Sequence, residues 1–275
     1  MSKKIMDINE RKIVQLGIMD SFHRFCIEHG LTYSLAAGSL LGAVRHNGYI
    51  PWDDDIDICM LRKDYEKLES LFPNVLDGKY KMASMYRIKG WHIPYAKIYD
   101  DSTILIENKY STEEIGVNID VYVVDDAPGE QKPWKRQYKQ FQRFNKLLAI
   151  KNLKLSRERN FIKNISIVLM KVPCLIINKR FLIEQWTKYI KGNNDKKYNL
   201  CFVYTGTDMK KPFPKCFFNE IKEYQFEGRY FYGFKEADSY LTGLYGDYMK
   251  LPPEEQRVTH HHSVAFWKND KDFIR

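Results

Sequence analysis

The stretch Pro51-Trp52-Asp53-Asp54-Asp55-Ile56-Asp57-Ile58 decides how the rest of the chain is read. It suits a strand from about Asp54 to Met60. Side chains alternate faces along a strand, so Asp53, Asp55 and Asp57 project to one side. Ile56 and Ile58 project to the other, where a core takes them. Three like charges so close repel strongly unless a cation sits among them. A hard divalent ion with oxygen ligands, Mg2+ or Mn2+, is the natural counter-charge, and it also bridges to phosphate oxygens. On spacing alone a solvated acidic turn accounts for an acid-x-acid pair about equally well. The apolar setting of these acids favours the functional reading, because unpaired charge among apolar residues is expensive.

Upstream, Asp7 to His29 reads as an amphipathic helix, with Ile13, Leu16, Phe22, Phe25 and Cys26 near helical spacing and Gly30 as its stop. Leu31 to Ala37 reads as a strand, Gly38-Ser39 as a turn, Leu40 to His46 as a short helix and Asn47-Gly48 as a turn. Free backbone N–H groups at such a strand-turn-helix junction can hold phosphate. Downstream, Arg62 to Phe72 reads as a helix. Tyr80 to Glu107 holds two β-like runs, with a break near Gly90 and a turn near Asp100-Asp101. Gly116 to Val124 is a Val- and Ile-rich strand that sets Asp120 between Ile119 and Val121. A third carboxylate can therefore join the first two.

The 275 residues are 44% hydrophobic and 15% aromatic, which argues for a folded globular protein and against disorder. The formal charge of +9 suits an anionic partner: nucleic acid, an acidic lipid surface or a phosphorylated substrate. The five cysteines (26, 59, 174, 201 and 216) include no C-x-x-C, so neither a disulfide framework nor a zinc site is expected. Reduced thiols fit a cytoplasmic enzyme. No apolar h-region follows the basic N-terminus, so no signal peptide is expected. Phe161 to Ile177 is interrupted by Lys163, Asn164, Lys171 and Pro173 and makes a poor membrane span. Pro128 to Pro133 marks a boundary. From Gln131 to Lys197 the chain carries 18 Lys and Arg against 3 acidic residues. That region reads as helical, with Phe141, Phe144, Leu147 and Leu148 on one apolar stripe. The expected organisation is a catalytic core over 1–130, a basic helical region over 131–200, and a C-terminal segment over 201–275 that packs back on the active site. The fold class is α/β (α+β): a mixed, twisted sheet flanked by helices.

Gly-Ser after a strand, then an acid-x-acid pair, then an acid on a neighbouring strand resembles the nucleotidyltransferase superfamily. More specifically, the run from Ala37-Gly38-Ser39 through Arg45-His46-Asn47-Gly48 to Asp55-Ile56-Asp57-Ile58 resembles the LicD family of phosphotransferases. The likeness continues in Asp64-Tyr65, Ile119-Asp120-Val121, Tyr245-Gly246-Asp247-Tyr248-Met249, Pro252-Pro253 and Arg257. It spans roughly 10 to 125 and 240 to 262, and leaves 131–200 unmatched. The resemblance implies a cytosolic enzyme that moves phosphocholine from CDP-choline, or a related group from another CDP-linked donor, to a sugar hydroxyl. The acceptor is a cell-surface glycan such as teichoic acid or lipopolysaccharide, lipid-linked in some cases. It implies that Asp55, Asp57 and Asp120 hold the metal and that Gly38 and Ser39 meet the phosphates. Asp120 then serves either as general base or only as a third ligand.

Further candidates come from the residues themselves. Arg45 follows the Gly-Ser helix and can pair bidentately with phosphate; a surface helix charge accounts for it about as well. Lys97 can point into the site, against the commoner alternative of an exposed strand lysine. Tyr245, Arg257, His260 and His261 resemble the family's terminal motif, which implies that they close over the donor; hydrogen-bonded local structure accounts for His260 and His261 about as well, and His262 reads as local structure. Three consecutive His cannot all face one ion. A choline group needs an aromatic cage or a carboxylate, and Trp52, Trp91, Tyr95 and Tyr122 are available. The basic region either docks on anionic lipid headgroups or is a solvated helical face. Two rival functions remain: a nucleotidyltransferase acting on a small molecule or RNA with release of pyrophosphate, and an inactive, basic nucleic-acid-binding protein. Few clustered aromatics accompany the basic residues, which disfavours nucleic acid.

Overall fold

The first helix is set by its ends. The computed structural model describes residues 5–89, 91, 93–106, 115–152, 160–172, 178–204, 211–259 and 263–269. Within it α1 (Ile8–His29) opens on a capping box: the Asp7 carboxylate accepts the Asn9 and Glu10 N–H groups, and Glu10 accepts the Asp7 N–H. Gly30 ends it at φ 58°, a conformation that carries no Cβ penalty in glycine. Val14, Ile18, Met19, Phe22, Phe25 and Cys26 face the core. Ile13 does not join them and lies largely in solvent. Gln15 takes an inward position instead, donating to the Asp54 and Asn118 carbonyls.

The short strand β1 (Ser34–Leu35) leads into α2 (Ala37–His46), then β2 (Asp57–Leu61), α3 (Arg62–Leu71) and β3 (Tyr80–Ala83). Next come β4 (Ala96–Asp100), β5 (Thr103–Ile106) and the long β6 (Asn118–Ala127). Thus α2 starts at Ala37 rather than Leu40, taking Gly38-Ser39 into its first turn. The segment expected to hold two strands holds three. The acidic strand begins at Asp57 rather than Asp54, because the Asp53 N–H is turned back onto the Ile50 carbonyl. Only the Ile56 carbonyl, which accepts the Asp120 N–H, extends the ladder upstream. The alternation nonetheless persists: Asp53, Asp55 and Asp57 are half-buried, while Asp54, Ile56 and Ile58 are buried.

The remaining helices are α4 (Gln131–Asn152), α5 (Phe161–Lys171), α6 (Lys179–Asn194) and α7 (Ala237–Tyr245). The remaining strands are β7 (Leu200–Val203), β8 (Phe213–Pro214), β9 (Ile221–Phe226), β10 (Arg229–Phe234) and β11 (Val264–Trp267). The main sheet is mixed and runs β1-β2-β6-β4-β3. Here β2 and β6 are parallel, while β4 is antiparallel to β6. On the same edge of β6 as β4, but further along, β7 pairs with Val124–Ala127, and β8 pairs with β7. The hairpin β9–β10 and the pair β5–β11 complete the sheet structure of the described residues. The fold is α+β, with helices flanking a mixed sheet.

The basic region is anchored by its apolar side. Phe141 and Phe144 of α4 stack on Trp186 of α6, with ring centroids 6.1 and 4.9 Å apart. Phe141 also meets Phe202 of β7 edge-on. Leu148 is buried and Leu147 half-buried. Asn193 and Asn194 of α6 bond the Asp126 backbone. Among the described residues no helix is long and apolar enough to cross a membrane. The free cysteines Cys26, Cys59 and Cys201 are buried and Cys216 is exposed; Cys174 lies outside the described residues.

Candidate active site

Three neighbouring strands meet at one level. Their register puts Asp57 of β2 beside Asp120 of β6, and Asp120 opposite Lys97 of β4. Residues in register on adjacent strands share a face with their Cβ atoms about 5 Å apart. Lys97 Nζ lies 2.8 Å from Asp120 Oδ1 and donates to Asn118 Oδ1 at 3.1 Å. Lys97 is therefore not an exposed strand lysine: its side chain is only 8% exposed. Burial, reinforced by the charges of Asp55, Asp120 and Asp53, pushes the Asp57 carboxyl well up, and Lys97 opposes that rise. Burial, together with the charge of Asp55, pushes Asp53 up to about 7.

The helix start sits over these acids. Ser39 Oγ accepts the Asp57 N–H at 2.8 Å, locking the first turn of α2 to the first residue of β2. A Cβ at Gly38 would meet Asp53 Oδ2 at 2.7 Å, so any side chain there must displace the end of that carboxylate. No side chain caps the helix at Ala36, and no acid occupies its first turn. The Ala37 N–H points to the Tyr240 hydroxyl at 3.4 Å. Ala37 itself is held at φ 44°, a left-handed backbone that costs a non-glycine residue roughly 1–2 kcal/mol.

A cavity of about 290 Å³ opens beside the cluster, lined by Arg11, Asp55, Tyr95, Lys97, Asp120 and Tyr122 among others. The Tyr95 and Tyr122 rings pair along one wall, 4.7 Å apart. Two members were not foreseen from the sequence. Arg11 reaches from α1 to pair with the buried Asp54 at 2.9 Å, and Asn118 steadies Lys97. Asp54 is thus a structural acid, distinct in partners from Asp53, Asp55 and Asp57. Only the alternation of burial through the acidic run hinted at it.

The other candidates are placed as follows. Arg45, in the last turn of α2 and so far from Gly38, donates to the Tyr248 carbonyl and ties the helix to the C-terminal segment. Tyr245 ends α7 with 45% of its surface exposed. Arg257 donates to the Pro252 carbonyl, and its guanidinium lies 5.9 Å from the Trp52 ring centre. Thr259 donates to the Trp52 carbonyl, so this segment lies against the residue that precedes Asp53. Trp91 is buried and donates to the Tyr95 carbonyl. His260, His261 and His262 lie outside the described residues.

The donor set suits a hard divalent cation. All its ligating atoms are carboxylate oxygens, and Asp57 Oδ1 is shielded from solvent without a hydrogen-bond partner. Among the described residues, however, no three His, Cys, Asp or Glu side chains are already gathered in a metal-ligating arrangement. In this arrangement Lys97 supplies positive charge to the cluster.

A helix start without a capping side chain, acids at the head of the following strand and a further acid on its parallel neighbour define a nucleotidyltransferase-type catalytic domain. Residues 30–149 match the family described as LicD/FKTN/FKRP, nucleotidyltransferase domain. Over 96% of its length the chain is 32% identical to the lipopolysaccharide cholinephosphotransferase LicD of Haemophilus influenzae, covering 99% of that protein. The ribitol 5-phosphate transferases FKRP of mouse and human are 48% identical over 42 residues, which is 15% of this chain and 8% of those proteins. The chain belongs to the LicD family and is a transferase.

Proposed function

We propose that the protein transfers phosphocholine from CDP-choline to a sugar hydroxyl of a cell-surface glycan precursor and releases CMP. The observation that carries this reading is the end-to-end likeness to a lipopolysaccharide cholinephosphotransferase. In the reaction, the acceptor oxygen forms a bond to the choline-bearing β-phosphorus. The bond from that phosphorus to the bridging oxygen breaks, and CMP departs with the electron pair. The hydroxyl proton passes to the Asp120 carboxylate, which Lys97 orients from the opposite strand. The uncapped start of α2 faces the diphosphate, with Gly38 allowing close approach and Ser39 fixing the helix on β2. A divalent cation held by Asp55, Asp57 and Asp120 would neutralise charge on the diphosphate and on the leaving CMP. Tyr95 and Tyr122 offer ring faces to the quaternary ammonium.

The test is to incubate the purified protein with Mg2+, a glycan acceptor and a panel of CDP-linked donors. CMP release with CDP-choline, stimulated by the acceptor, is the expected result. Pyrophosphate release from a nucleoside triphosphate, with no CMP from any CDP-linked donor, would instead make the protein a nucleotidyltransferase.

A further inference from the structure

The helix α5 turns an apolar face outward. Ile165, Val168, Leu169 and Val172 are 43, 44, 66 and 53% exposed. Their spacing of three, one and three residues gathers them within an arc of about 100° on a helix. The other side of α5 is the one turned to the protein, with Ile167 buried and Asn164 and Lys171 half-buried. A water-facing helix normally has the reverse arrangement. Four aliphatic side chains on one outward stripe are what a surface covered by another apolar phase presents.

The neighbouring helix supplies charge. α4 packs against α5. Its Lys135, Lys139, Arg143 and Lys146 are all exposed and follow helical spacing along one face. That face is opposite the one that buries Phe141, Phe144 and Leu148. Among the described residues none of the four is paired with a carboxylate, although ion pairs are common elsewhere on this surface. A cationic stripe left unneutralised on the helix packed against the one that carries the apolar stripe is complementary to one kind of partner in particular: an anionic bilayer. Its phosphates attract the stripe on α4, and its acyl boundary accepts the aliphatic side chains of α5. A second copy of this chain would bring like charge to like charge.

We propose that α4 and α5 form a monotopic docking surface for anionic membranes, with α5 lying in the headgroup plane. This surface is independent of the catalytic reading, since it shares no residue with the acidic cluster. The full-length protein is floated with vesicles of phosphatidylcholine alone and with vesicles containing about a third phosphatidylglycerol, at low and high salt. Wild type floats with the anionic vesicles, more at low salt than at high, and not with the neutral ones. The double variant Val168→Glu/Leu169→Glu, at exposed positions, keeps the wild-type thermal melt and stays at the bottom of the gradient. The variant Lys139→Glu/Arg143→Glu loses the preference for anionic vesicles. Absence of flotation at every salt concentration overturns the proposal, as does flotation that survives both double variants. A concentration-dependent dimer that Val168→Glu/Leu169→Glu abolishes, with no vesicle binding, also overturns it and assigns the stripe to self-association.

Discussion

Lys97 and Asp120 face each other across antiparallel strands, with Nζ 2.8 Å from Oδ1 and both side chains largely out of solvent. The pair puts a fixed positive charge inside a cluster of carboxylates. It follows that a divalent ion is not the only means of making these acids tolerable to one another. Lys97→Met removes the internal cation and leaves Asp120 buried beside Asp57. Breaking a buried ion pair from one side costs about 3 kcal/mol. The variant is expected to unfold at lower urea concentration by about that free energy and to lose CMP release. Arginine cannot restore the geometry, because its planar fork is larger and differently directed than the ammonium. Chemical denaturation read alongside turnover checks both halves.

Asp57 carries the shielded, unpartnered Oδ1, and burial and its acidic neighbours disfavour its ionised form. Asp57→Asn therefore removes a liability in the metal-free protein. CMP release is expected to fall to background, while the melting temperature in chelator stays at or above that of wild type. A variant that melts well below wild type would show that Asp57 is a structural residue.

The pH dependence has a definite sign. Asp53 has an ordinary carboxyl pKa when unfolded and one of about 7 in the fold. A raised carboxyl favours the protonated form in the native state, so the native state binds the extra proton and loses stability as pH rises from about 4 to 7. Below that window the carboxyl is protonated in both states and there is no penalty. Asp53→Asn mimics the protonated form. In chelator it should match wild type in stability near pH 3, below the window, and exceed it near pH 8. Urea titrations at the two values decide, and a pH-independent difference would remove this account of Asp53.

The sequence disclosed the carboxylates but not their company. Asp57 and Asp120 were legible because each interrupts an aliphatic strand run, and a charge among Ile and Val needs a reason. The depth of Lys97 was not legible, since Ala96 and Ile98 flank it in any strand. Only the cross-strand register places it opposite Asp120. Arg11 and Asp54 are 43 positions apart with no local signal joining them. The start of α2 was set three residues late because Ala36 offers no capping side chain, so nothing in the sequence marks the helix end. In the basic region the spacing of Phe141, Phe144 and Leu148 already marked the buried side of α4. The stacking of Phe141 and Phe144 on Trp186 and the outward aliphatic face of α5 were not legible, because they depend on how the helices pack on one another.

Two glycines of α2 separate catalysis from folding. A Cβ at Gly38 would meet a side-chain oxygen, Asp53 Oδ2, whereas one at Gly42 would meet the Gly48 carbonyl at 2.3 Å. Side chains swing and backbone turns do not. Gly38→Ala should displace the Asp53 carboxylate and crowd the diphosphate, costing about 100-fold in turnover with little change in melting temperature. Gly42→Ala must push α2 off the Asn47-Gly48 turn, at about 1–3 kcal/mol. Turnover per folded molecule then changes less than in the first variant. If both variants lose stability equally, the contrast fails.

Arg62 grips Asp125 through two hydrogen bonds of 2.9 and 2.6 Å, joining the start of α3 to the end of β6 well away from Asp120. The pair is almost wholly buried, at 13 and 2% exposure. Asn194 Nδ2 also donates to Asp125 Oδ1, so removing Arg62 leaves the carboxylate with one neutral partner. Arg62→Ala is expected to cost about 3 kcal/mol. Arg62→Lys should recover part of it, because a lysine offers a point charge but no second parallel bond. Both variants should retain turnover wherever they remain folded, since β2 and β6 still hold Asp57 beside Asp120. Urea unfolding and CMP release measured on the same samples check this. A large fall in turnover with unchanged stability would mean that the Arg62–Asp125 grip positions the acids as well as the fold.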